Sequence, residues 1–256
     1  MMDMYFYLIF FVFGICLGSF YNVLGFRVPN NQSIIKPKSH CPKCNHELTW
    51  CELIPILSFL IQKGKCKCCK TKLSLFYPFI EFATGLLFVV SYHSFGFSLN
   101  LIIALTLVSL FMIVIVSDLT YLIIPDSFIV IPCIIVFFVK VIELGFLGGL
   151  IQLGYGILTF ILMYLIMLFG NKIFKKESLG GADIKLMFLV GLTLDPMLAS
   201  VVIFLASITA LPVSIFLLIK KKEHVIPYGP FLVFGLLVVF FLKLNIVEIF
   251  NKLLFI

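Results

Sequence analysis

Long apolar runs decide what this chain can become. The stretch 99–117 carries no charged residue, and runs of the same character recur from one end of the chain to the other. A helix needs about 20 apolar residues to cross the hydrocarbon of a bilayer. Inside that layer every backbone amide must be bonded internally, which leaves helices and closed barrels as the only spanning forms. Helices are therefore expected near 4–26, 78–95, 99–117, 126–144, 149–170, 197–219 and 229–250. A shorter run, 184–195, ends at Asp195-Pro196 and is too short to cross upright, so a half-span packed inside a bundle is expected there. The fold class is then an all-α polytopic membrane protein of about eight segments, one of them short. Its organisation is a first transmembrane helix over 1–26, a polar loop over 27–76 and a bundle over 77–256. Only 12% of residues are charged and 62% are hydrophobic, against about a quarter charged in a soluble domain. The first run lacks a basic leading segment and a small-residue cleavage site, so it is expected as a retained helix rather than a signal peptide.

The basic residues orient the bundle. Of the 19 Lys and Arg residues, all but Lys140, Lys243 and Lys252 fall in three connecting segments. These are the loop 27–76, the segment 171–185 and the triplet Lys220–Lys222. The side richer in Lys and Arg is expected to be cytoplasmic. That places the loop inside and the N-terminus outside. The net charge of +7 follows from this bias, and nucleic-acid binding is a poor explanation of it.

Against this background Asp118 and Asp183 are out of place. Each lies at the end of an apolar run, on the expected cytoplasmic side, where an ionisable group is costly and marks function by default. Asp118 is expected at a helix C-terminus, where an acid opposes the macrodipole. Asp183 follows Gly180-Gly181-Ala182 and is expected near a helix N-terminus, where an ordinary N-cap is the competing explanation. If the two meet, one can hold a proton while the other is ionised. The ionised group then activates a water against a peptide carbonyl and the protonated one donates to the carbonyl oxygen. Asp126, after Pro125, suits a first-turn acid. Glu81 suits an interfacial one. Gly14, Gly18 and Asn22 recur at intervals of four, as a close helix–helix seam would require.

The loop carries Cys41-Pro42-Lys43-Cys44 and Cys66-Lys67-Cys68-Cys69. Two such pairs suit one tetrahedral Zn²⁺ held by Cys41, Cys44, Cys66 and Cys69. Four thiolates leave no open position, so the metal is expected to be structural, supplying folding energy that a short polar loop lacks. Disulfides are not expected in a cytosolic loop. Cys51 and Cys68 are expected to stand outside the set, and His40 and His46 are weaker candidates.

Together these residues resemble the bacterial type IV prepilin leader peptidases, which are membrane aspartyl proteases. The resemblance runs through Gly18-Ser19-Phe20-Tyr21-Asn22-Val23, Ser39-His40-Cys41-Pro42-Lys43-Cys44, Trp50 with Ile54-Pro55-Ile56-Leu57-Ser58, Gly64-Lys65-Cys66, Tyr77-Pro78-Phe79-Ile80-Glu81, Asp118 with Pro125-Asp126, Gly180-Gly181-Ala182-Asp183-Ile184-Lys185, and Ile226 to Phe231. It implies Asp118 and Asp183 as the catalytic pair and the four cysteines as zinc ligands. It also implies cleavage after the glycine that ends a short basic leader, at the cytoplasmic face of the bacterial inner membrane. Substrates would be prepilins or pseudopilins, serving pili, secretion or competence. Many members then methylate the new N-terminus with S-adenosylmethionine, and the loop and Glu81 are implied in that step. Gly180, Gly181, Ala182 and Lys185 would position substrate around Asp183. Ala182 stands where the family usually has its second glycine, and would be strained in a turn needing positive φ. Leu53 replaces a common Asn. Membrane lipid is the other expected partner; the sequence does not specify an oligomeric state. Two other readings compete: a non-enzymatic assembly factor whose zinc loop binds a partner, and an ion-coupled transporter. The latter is opposed by acids at the membrane edge and by the lack of an inverted repeat.

Overall fold

The computed structural model describes residues 2–175, 180–219 and 227–243. Lys176, Ser178, Leu179, Lys220–Lys222, His224, Ile226, Lys252 and the end of the last expected helix lie outside the described residues. The described chain is helical, with isolated bridges His40–Glu47 and Lys65–Lys72 but no strand. Among the described residues, four helical stretches are long and apolar enough to cross a membrane, 3–30, 99–121, 126–173 and 196–216. The chain divides into two compact units, Met1–Phe97 and Ser98–Ile256.

In the first unit, α1 (Met2–Arg27) packs along α3 (Phe76–Phe95), and the polar loop with the short α2 (Leu57–Ile61) joins them. The expected glycine seam is what lets the two long helices touch. A Cβ on Gly14 would lie 2.8 Å from Gly85 Cα, and one on Gly18 would lie 2.8 Å from Glu81 Cα. Rings close the far end, with Phe10 stacked on Tyr92 at 4.8 Å. Asn22, one helical turn beyond Gly18, is buried and donates from Nδ2 to Tyr77 O at 3.3 Å. Glu81 and His93 dilute the apolarity of α3, and it is not among the four spanning stretches. The first compact unit ends after this helix, at Phe97.

The second unit is built around α4 (Leu99–Tyr121). Its Ile103, Ala104, Leu107, Val108, Val114 and Val116 are wholly inaccessible. α5 runs from Asp126 to Phe174, broken at Gly145, whose φ of 77° and ψ of 171° are not helical. A Cβ on Gly149 would lie 3.2 Å from Val141 Cα, so the chain doubles back there. The expected helices 126–144 and 149–170 are thus the two limbs of one hairpin, joined at a glycine instead of by a loop. α6 (Gly181–Thr193) is about 20 Å long at 1.5 Å per residue, too short to span. It is buried on almost every side, as a half-span would be. A second small-residue seam fixes it to α5. A Cβ on Gly191 would strike Thr159 Oγ1, which lies 2.8 Å from Met187 O. α7 (Pro196–Ile219) and α8 (Gly229–Phe241) complete the unit, with Gly235 close against Val202 O.

Candidate active site and metal centre

Asp118 lies in the last turn of α4. Leu122 ends that helix in the left-handed conformation, φ 56°, and its amide donates to Asp118 O at 3.0 Å. The link 122–125 is short because Pro125 caps α5 immediately. The Asp118 side chain is left facing inward, 6% exposed, beside wholly buried Ser117. It therefore makes no cap.

Asp183 is the third residue of α6, and Gly180 holds the N-cap position. The Asp183 amide donates to Gly180 O at 3.1 Å, and its carboxylate takes the Gly180 amide in return. This is the reciprocal bond of an acid at that position in a capping box. The N-cap explanation is thereby corrected: Asp183 is buried, 8% exposed, and reaches back to the cap from inside the helix. Gly180 has φ of −70°, and neither Gly181 nor Ala182 has a positive φ. The second glycine is not needed for conformation here, and Ala182 sits unstrained in the first turn. Lys185 is exposed and donates from Nζ to Asp126 Oδ1 at 2.6 Å, tying α6 to the start of α5. Asp126 is a first-turn acid, as expected.

The first residue of α8 brings the two acids together. The Gly229 amide donates to the Asp118 carboxylate. A Cβ built on Gly229 would lie 3.2 Å from Asp118 Oδ2 and 3.6 Å from Asp183 Oδ1, and would collide with Ile124 Cδ1. The two carboxylate oxygens thus lie no farther apart than the sum of those distances, facing one backbone position at a helix N-terminus. Such an end attracts negative charge. Tyr228, just before it, places its hydroxyl 3.3 Å from Ser207 Oγ. From sequence, Gly229 stood only within the stretch Ile226 to Phe231 of the resemblance, with no role at the site. The available signal was a glycine between Tyr and Pro at a helix start, where only a close approach calls for the missing side chain.

In the first unit, the Sγ atoms of Cys41, Cys44, Cys66 and Cys69 lie within 4.8 Å of one another. Cys41–Cys69 and Cys44–Cys66 are each 3.8 Å apart. A tetrahedron with metal–sulfur bonds of about 2.3 Å has edges of about 3.8 Å, so the donor set fits one four-coordinate ion. The two knuckles share one backbone plan. Asn45 and Lys70 adopt left-handed conformations, with their amides on Cys41 O and Cys66 O. Amides of Cys44 and Lys43 hold the Cys41 thiol below its ordinary range. Thr71, through its hydroxyl and amide, holds Cys69 at about 6. Cys51 and Cys68 are exposed and outside the set. His40 Nδ1 meets Lys38 O, so neither histidine joins the cluster.

His46 instead meets Glu52. Glu52 Oε2 accepts from the Thr49 amide at 3.0 Å and the Thr49 hydroxyl at 2.8 Å, and lies 3.3 Å from His46 Nε2. The Thr49 bonds, with His46, hold the Glu52 carboxyl below the usual range. Glu81 is buried on α3 and accepts the Ile56 amide at 2.7 Å. Ile56 has φ of 60° and ψ of −52°, and the Leu57 amide reaches Pro55 O at 2.6 Å. This is a γ-turn of the rare, strained hand, centred on a β-branched residue that avoids positive φ.

Two family models match the chain: the Bacterial Peptidase A24 N-terminal domain over residues 12–95 and the Type IV leader peptidase family over 103–215. The chain is 36% identical to a prepilin leader peptidase/N-methyltransferase of Bacillus subtilis, over 95% of this chain and 97% of that one. It is 38% identical to the protein of that name in Myxococcus xanthus, over 82% of this chain and 62% of that one. With the Neisseria gonorrhoeae protein of that name it shares 30% identity, over 86% and 84%. No solved structure matches it. On this evidence the chain belongs to the type IV leader peptidase family.

Proposed function

We propose that this protein, in the bacterial inner membrane, cleaves the short basic leader from prepilins or pseudopilins at the cytoplasmic face and N-methylates the new N-terminus. The observation that carries the peptidase reading is the meeting of Asp118 and Asp183 around Gly229. A water between the carboxylates loses a proton to the ionised partner as it attacks the scissile carbonyl. The protonated partner donates to the carbonyl oxygen; as the tetrahedral diol collapses it takes that proton back, and the other carboxyl passes the proton it took from water to the departing amine. Gly229 and Gly180, through their amides, hold Asp118 and Asp183 in place. Gly181 has open space beside it, leaving room, with the small Ala182, for an extended peptide near Asp183, and Lys185 steadies α6 through Asp126. A non-enzymatic assembly factor is not favoured by the family membership.

Cys41, Cys44, Cys66 and Cys69 would hold a structural Zn²⁺, which on binding supplies folding free energy to the loop. A cavity of about 460 Å³ adjoins that cluster, walled in part by Glu52, Ser58, Gln62 and Lys63. Its size falls in the ordinary range for small ligands. The Glu52 carboxylate and the polar side chains of Ser58 and Gln62 suit the ammonium end of S-adenosylmethionine, which would supply an electrophilic methyl group. In this reading Glu81 is a positioning residue that pins the Ile56 turn leading to Ser58.

The test is mass spectrometry of a prepilin co-expressed with the enzyme. Asp118→Asn and Asp183→Asn should each lower cleavage by about 10²-fold or more, the scale of lost acid–base catalysis, with the protein still inserted. Normal processing by both variants would sink the reading.

A further inference from the structure

The segment Trp50–Ile61 has a surface that neither cleavage nor metal binding accounts for. Trp50, the chain's single tryptophan, is 78% exposed, and Leu57, Leu60 and Ile61 are 57%, 64% and 80% exposed. Leu57, Leu60 and Ile61 share one face of α2 by their spacing, and Trp50 stands seven residues before Leu57 on the same short loop; exposed apolar side chains so grouped mark a contact surface. Beside them stand exposed Lys63, Lys65, Lys67 and Lys70. The module's acids do not neutralise these lysines, because Glu52 is buried and Glu47 pairs with Lys38 at 3.6 Å. The Ile56–Glu81 bond ties the middle of the segment to α3. Both ends of the module leave the same end of the packed α1–α3 pair, and α1 is of spanning length and apolarity.

We propose that this face rests in the interfacial layer of the bilayer, with Trp50, Leu57, Leu60 and Ile61 among the upper acyl chains and the lysines on anionic lipid headgroups. Tryptophan concentrates at that depth, and apolar side chains bordered by lysine are the composition of an interfacial segment. The tether at both ends and through Ile56 keeps the module beside the membrane surface. The basic leader of the proposed substrate is a poorer occupant, because it would meet lysines of its own sign. The inference does not depend on the peptidase reading.

Because Trp50 is the only indole, its emission in the intact protein reports this face alone. The full-length protein is reconstituted in nanodiscs of phosphatidylcholine, with or without phosphatidylglycerol, with a scaffold protein that lacks tryptophan and lipid brominated near the headgroup end of the chain. The expected result is about twofold or greater quenching of Trp50 by brominated lipid, as interfacial burial requires, and weak quenching by aqueous acrylamide. Phosphatidylglycerol should deepen the lipid quenching. Replacing Lys63, Lys65, Lys67 and Lys70 together by Gln should remove that added effect while the bound-metal content stays unchanged. Emission that is quenched by acrylamide and indifferent to brominated lipid overturns the proposal. So does a Trp50 response that appears only when a prepilin peptide is added, which would mark a substrate surface. The wild-type measurement decides the matter even if the lysine variant fails to fold.

Discussion

Gly229 has no room for a methyl group between the carboxylates and Ile124. Alanine suits the helical backbone there, so Gly229→Ala isolates crowding from conformation. It should displace Ile124 and shift Asp118, and reacting groups misplaced by a fraction of an ångström lose about tenfold or more in rate. The measurement is the processing rate of a reconstituted prepilin; a wild-type rate would show that the close approach is incidental. Glu81 offers a second test. Glu81→Gln keeps an oxygen for the Ile56 amide, whereas Glu81→Leu removes it. If Glu81 acts by pinning that turn, the Leu variant should lose about tenfold or more of N-methylation and the Gln variant much less, since only the former leaves the half-buried Ile56 amide without that acceptor. Cleavage should stand in both, and the two yields come from one mass spectrum. At this scale the sequence disclosed Asp118 and Asp183 because a charge at the end of an apolar run is conspicuous. The cysteine register was equally plain, since two knuckles have their own spacing. Gly229 stayed hidden because closeness to the acids is made by tertiary packing, and the strained φ of Ile56 contradicts every local preference of its residue type.

The elements assemble through small residues. On α1, Gly18 lets the backbone of α3 come within contact distance, so Gly18→Leu meets main chain at Glu81 rather than a side chain that could move. Overpacking of this kind costs about 1–3 kcal/mol. It should lower the thermal transition of the detergent-solubilised protein; an unchanged transition would count against the seam. Ala182→Gly is the opposite case. Its helical backbone needs no glycine, so cleavage should change by no more than about twofold, glycine only loosening the first turn of α6. A large gain would mean that substrate binding demands a conformation absent here. Apolar run lengths disclosed most of these elements, including the buried half-length of α6. They could not disclose that 126–144 and 149–170 join without a loop, because a lone glycine in an apolar run gives no sign of whether the chain bends or reverses.

The whole chain is a sequence of two units, and the family models part between 95 and 103, where the structure also divides after Phe97. The four-cysteine cluster lies in the first and the paired carboxylates in the second. Chelation should therefore act unequally. Stripping the ion should unfold the loop module, for which binding is worth about 10 kcal/mol or more in small zinc domains. Methylation should fall well below cleavage in the same preparation. Equal loss of both, followed by colorimetric metal release, would show that the module also supports the peptidase.

The hairpin at Gly145 bears on this chemistry from a distance. One limb of α5 continues from α4 through the short link after Asp118, and the other is locked to α6, which carries Asp183. A reversal made at a single glycine has no slack to let out. The spacing of the two carboxylates is thus partly a measured length, set by how many residues separate each acid from that turn. An insertion or deletion in either limb would change the gauge of the carboxylate pair without touching a residue near it.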